Sequence, residues 1–124
     1  MVDLRGYRTL ELSVTNQSVE HGSMELKHTF SYNVSLNAGE NKGLGFLNFV
    51  MKNEKVEGGL CVRVSLVADI IFSADDDKRF IHKESFRQLF PYLRMTVTNL
   101  CSCAGIQGVM IPNLRINDDQ IKNV

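Results

Sequence analysis

The sequence predicts an α+β domain on three observations: long runs in which apolar and polar residues alternate, a change of hydrophobic period after residue 79, and turn chemistry where the alternation breaks. The expected architecture is a four-stranded antiparallel sheet carrying one long kinked helix. An extended crossover strap and a short C-terminal helical turn follow, all within a single domain spanning 1–124.

Tyr7 to Val14 is the first strand candidate, with Leu10, Leu12 and Val14 alternating with Thr9, Glu11 and Ser13. From Met24 to Leu36 every even position except His28 is apolar and the odd positions are polar, as in a strand with one wet face. Leu44 to Met51 is apolar on both faces apart from Asn48, which suggests a second surface covered by a partner or offered to one. Leu60 to Phe72 alternates again, with Arg63, Ser65 and Asp69 opposite the apolar set. Asn37-Ala38-Gly39 and Gly58-Gly59 supply turns between strands, and Gly43-Leu44-Gly45 reads as a further turn.

Beyond Asp75-Asp76-Asp77, read as a solvated loop, Phe86, Leu89, Phe90, Leu93, Val97, Leu100, Cys101 and Ala104 recur at helical spacing. Ser85 and Gln88 have the spacing of a capping box, and Gly105 stands where a left-handed C-terminal cap belongs. Pro91 inside this helix removes one hydrogen bond and predicts a kink. Gly108 and Pro112 interrupt the apolar segment Ile106 to Ile116, which is therefore expected to cross the domain extended. Asn117 opens the last, short turn.

Length and composition set bounds on function. A chain of 124 residues supports one core, and its 44% apolar and 23% charged residues are those of a folded domain. Fourteen basic residues balance fourteen acidic ones, which argues against nucleic acid and anionic membrane surfaces as partners. The charged start and the absence of any apolar run of ~20 residues point to a cytoplasmic protein.

The residues nominate no catalyst, cofactor or metal. Phosphate loops, nucleophile elbows and zinc-protease pairs are absent from the sequence. Cys101 and Cys103 would point ~200° apart on a helix, so Cys101 is read as small core filler. His21, His28 and His82 are scattered, and His28 is expected at the core edge of its strand.

Leu89-Phe90-Pro91-Tyr92-Leu93-Arg94 resembles the signature at the start of the main helix in the SecB family of export chaperones, where the family reads Leu-Phe-Pro-Tyr-Ala-Arg. A proline within a helix costs ~3 kcal/mol, which makes its presence in this context specific. The resemblance continues through Thr96-Val97-Thr98-Asn99-Leu100 to Gly105-Ile106, and Val109-Met110-Ile111-Pro112-Asn113-Leu114 is similar to the family's crossover strap. Leu93 stands where the family has alanine, Met95 where it has an acidic residue, and Gln107-Gly108 where the strap usually has proline. The chain ends at Val124, before the family's long second helix and acidic tail.

The resemblance implies a non-enzymatic holdase that binds unfolded polypeptides without nucleotide, works as a homodimer or homotetramer, and has a translocase motor as a further partner. A dedicated interaction module on the same fold, serving one antitoxin-like partner, is the alternative. Phe46, Phe49, Ile106, Val109 and Ile111 are the candidates for client contact, and Tyr92, Met95 and Asn99 for an oligomer interface. The competing expectation is that all eight fill one core.

Overall fold

The computed structural model describes residues 2–17, 26–37, 39–53 and 58–105. Four strands, β1 (Val2–Thr15), β2 (Lys27–Asn37), β3 (Lys42–Lys52) and β4 (Cys61–Phe72), precede one helix, α1 (Lys78–Cys103). The strands form one antiparallel sheet in the order β1-β4-β3-β2, so β1 and β2 are its edges, and α1 packs on one face. The α+β architecture expected from the sequence is the one observed; the strap and the terminal turn lie outside the described residues.

Alternation decides which side chains meet the helix. Across the sheet, Thr9, Leu66, Leu47 and Tyr32 stand in one cross-strand row, and Leu12, Val64, Phe49 and Phe30 in another. From α1, Ile81, Phe86, Leu89, Leu93 and Val97 descend onto these rows and close a core in which Leu47, Leu66, Leu89 and Leu93 are fully buried.

The helix begins at Asp77, whose side chain accepts a hydrogen bond from the Arg79 backbone N–H, two turns before the expected start at Ser85. Ile81 alone supplies the apolar contact of its early turns, too sparse a signal for periodicity to register. The acidic run is thus part of the strand-to-helix turn: Asp76 also accepts from the Ser73 N–H at 2.8 Å. At the other end Gly105 adopts φ 81° and donates its N–H to the Ser102 carbonyl, the cap its position predicts. Pro91 lies within α1 on an exposed position, where water can reach the carbonyl it leaves unbonded.

Gly43 and Gly45 are strand residues of β3 and form no turn. A Cβ at Gly45 would collide with the Tyr32 hydroxyl, so glycine makes room for the tyrosine ring rather than for a bend.

Candidate functional site

The face of the sheet away from α1 is its own surface. In β3 it presents Lys42, Leu44, Phe46, Asn48, Val50 and Lys52, and in β4 the odd positions from Cys61 to Ile71. Phe46 pairs with Val67, and Leu44 stands beside Asp69 with Ile71 one step further on, which makes an apolar band across the two central strands. Val67 is 3% exposed, Phe46 and Ile71 are half-buried and Leu44 is 36% exposed. β2 lines the band with small polar side chains, Thr29, Ser31, Asn33 and Ser35. In the middle of the face Ser65 donates its hydroxyl to the Asn48 side-chain oxygen at 2.7 Å.

At one end the band opens into a groove of about 560 Å³, lined by Leu44, Ile71, Ser35, Asp69, Arg5 and Lys42 among others. A bulge between Leu4 and Gly6 brings Arg5 to this groove. Gly6, in register with Asp69, leaves open space where a side chain would stand.

Charge is unevenly divided. By register Lys27, Lys42, Lys52, Arg8 and Arg63 belong to the open face, and Arg5 joins them at the groove. Asp3, Asp69 and Glu11 oppose them. Among the described residues, these six cations against three anions give the open face a net +3. Two pairs on the face are loose and exposed, Arg5–Asp3 at 3.5 Å and Arg8–Asp69 at 3.9 Å, and contribute little to stability.

A second exposed apolar surface runs along α1 and β1. Tyr92 is 41% exposed with its ring centroid 4.8 Å from that of Tyr7, Met95 is 48% exposed, and Asn99 continues the stripe one turn further. Leu10 and Leu12 of β1 are 62% and 49% exposed. The first residues of β1 are tied to the helix by Gln88, whose amide donates to the Val2 carbonyl and accepts from the Leu4 N–H, both at 2.9 Å. Gln88 thus acts on an edge strand and not in a capping box.

Inside the core one polar cluster stands out. The Tyr32 hydroxyl donates to Ser85 Oγ at 2.7 Å, Ser85 donates on to the His82 carbonyl, and the His82 ring meets Tyr32 edge-on. Burial pushes the Tyr32 phenol up to about 12, against the smaller opposing effect of its bond to Ser85. The same cause holds the His82 imidazole below its ordinary value, and among the described residues its Nε2 finds no hydrogen-bond partner. Burial also raises the Cys101 thiol, as suits a core-filling cysteine, while Cys103 is exposed. His28, on the helix side of β2, stacks on Phe49 at the rim of the core. Among the described residues no three His, Cys, Asp or Glu side chains gather as a metal site would require, and no helix is long and apolar enough to cross a membrane.

Of the sequence-derived contacts, Phe46 reaches the open face, and Tyr92, Met95 and Asn99 lie exposed on α1, so these four do not fill the core. Phe49 does: it is 1% exposed, because odd positions of β3 face the helix, and the client surface is drawn without it. Ile106, Val109 and Ile111 lie outside the described residues. Leu44, Val67, Ile71, Arg5 and Lys42 went unnominated. The apolar character of Val67 and Ile71, at odd positions of a strand whose even positions are also apolar, was the available signal.

A four-stranded antiparallel sheet of this order, with one long helix on one face and a half-apolar open face, is an architecture of the SecB-like class. The sequence matches no family model and no curated protein. Among solved structures the chain is similar to the Mycobacterium tuberculosis Rv1957 SecB-like chaperone in complex with a ChAD peptide from the Rv1956 HigA1 antitoxin, with a TM-score of 0.74 and 12% identity over 91% of this chain and 89% of that one. It is also similar to a protein of unknown function from Streptococcus agalactiae, with a TM-score of 0.57 and 8% identity over 91% of this chain and 98% of that one. The fold of this chain is SecB-like.

Proposed function

We propose that this protein is a SecB-like holdase, which binds unfolded polypeptide segments without nucleotide and performs no bond chemistry. The observation that carries the reading is the open face: a band of Leu44, Phe46 and Ile71 over the buried Val67, ending in a groove, on a SecB-like sheet. An apolar client side chain buried there would contribute roughly 1.5–3 kcal/mol. One such contact is weak, and repeated contacts on an oligomer give avidity. In this reading Tyr92, Met95 and Asn99, exposed along α1, form the surface between copies, and Ile106, Val109 and Ile111 add to the client contact. The setting is the cytoplasm, with a translocase motor as a further partner.

A second reading is favoured by the Rv1957 complex, whose chaperone holds an antitoxin peptide: service to a single dedicated partner. Light scattering of two unrelated aggregating proteins, with and without stoichiometric amounts of this one, separates the two. A general holdase suppresses both aggregations and loses that effect in Phe46→Ser; a dedicated one suppresses neither. If Phe46→Ser suppresses both as well as the original chain, the open face is not the client surface. Light-scattering chromatography of the same samples gives the mass, and a monomer would remove the proposed contact through Tyr92 and Met95.

A further inference from the structure

Among the described residues the open face carries six cations and three anions, and its groove places Arg5 and Lys42 beside Leu44 and Ile71. Among the described residues Lys42 forms no ion pair, and Arg5 meets only the exposed, 3.5 Å carboxylate of Asp3. Asp69, the groove's own anion, faces Arg8 at 3.9 Å and is thereby partly neutralised. An apolar floor with unneutralised cations at its mouth is complementary to a large apolar side chain with a carboxylate close to it in sequence.

We infer that the open face selects client segments in which acidic residues flank large apolar ones, the groove at Leu44 and Ile71 taking the apolar side chain and Arg5 and Lys42 taking the carboxylates. The inference rests on the reading of this face as a polypeptide-binding surface and adds its selectivity. A peptide fits better than a nucleic acid. Among the described residues Phe46 is the only aromatic side chain on the face, so successive bases lack a stacking platform, and Asp3, Asp69 and Glu11 would repel a phosphate backbone. In an extended peptide alternate side chains point the same way, so residues two apart can reach the apolar floor and the groove mouth together.

The test uses fluorescein-labelled peptides of equal length with the same apolar residues, flanked by Glu, Ser or Lys, titrated with the full chain and followed by fluorescence anisotropy. The Glu-flanked peptide should bind roughly five- to tenfold more tightly than the Lys-flanked one at low salt, with the Ser-flanked peptide between them and the spread narrowing as salt is added. Arg5 and Lys42 are exposed, so the double reversal Arg5→Glu with Lys42→Glu should keep the melting temperature and invert the order. Equal binding of all three peptides overturns the selectivity and leaves the polypeptide-binding reading in place. Failure of all three to bind overturns both. Tighter binding of a labelled single-stranded oligonucleotide than of the Glu-flanked peptide assigns the charge to nucleic acid instead and overturns the inference.

Discussion

Two surfaces are written into the same residues of β3 and β4, one step out of phase. On the helix side Leu47, Phe49, Val64 and Leu66 are sealed under α1, and fit is close enough that Gly45 leaves no room for a methyl group beneath Tyr32. On the open side Phe46, Val67 and Ile71 alternate with Lys42, Asn48, Arg63 and Asp69, and a groove remains unfilled. The helix side holds the fold together through shape. The open side is more exposed and mixes charge with apolar area.

The comparison breaks most easily at neighbouring β3 positions. Leu47→Ala should cost about 3–4 kcal/mol in urea denaturation, because the residue is fully buried and its neighbours can collapse only partly into the cavity. Phe46→Ala, one residue away on the half-buried open side, should cost about 1 kcal/mol and instead weaken peptide binding. Similar losses at both positions would mean that the open face is itself covered in the folded protein. A smaller effect tests the fit on the helix side. Gly45→Ala should cost about 2 kcal/mol by driving a methyl against Tyr32, and Tyr32→Phe combined with it should cost less than the sum of the two.

Both strand faces were legible where alternation was unbroken. The even positions of β2 and β4 are the helix side, and the two-faced character of β3 is visible in Leu44 to Met51. The open face was harder to read in β4, since Arg63, Ser65 and Asp69 mark it as wet while Val67 and Ile71 make it half apolar, and only the register with Phe46 and Leu44 joins them into a band. Local rules misled at two points for physical reasons. Gly43 and Gly45 suggest a turn to any rule that associates glycine with positive φ, whereas Gly45 is needed for the close approach of Tyr32 from the next strand. Ser85 and Gln88 have capping-box spacing, but their partners, Tyr32 and β1, are 53 to 86 residues away in sequence and cannot be read from spacing. Likewise the concentration of cations on one face requires the strand order, because β1 and β4 are neighbours only in space.

Alkaline pH sharpens the contrast further, because the helix side buries a phenol and the open face none. Tyr32 is held at about 12 against an ordinary value of 10.0. As pH rises past 10 the unfolded chain releases this proton before the folded one does, so stability present below pH 10 is lost between pH 10 and about 12. The full loss is about 2–3 kcal/mol, at ~1.4 kcal/mol per unit. Denaturation midpoints across this range should fall more steeply in the original chain than in Tyr32→Phe; parallel slopes would mean that the hydroxyl is not buried beside Ser85.

The smallest expected effect lies in acid. His82 is buried and its imidazole titrates below the ordinary 6.5, so as pH falls through 6.5 the unfolded chain takes up a proton that the folded chain refuses. Stability conferred above pH 6.5 is therefore lost on acidification. Glu84 acts in the same direction, since its hydrogen bond to Arg87 keeps its carboxyl below 4.5, but its contribution fades only under that value. Between pH 6.5 and 4.5 the slope should belong to His82, and His82→Leu, which keeps an apolar side chain against Tyr32, should flatten it. An unchanged slope in that variant would mean that the imidazole is protonated within the fold, and that the helix side is not the dry, size-matched surface that sets it apart from the open face.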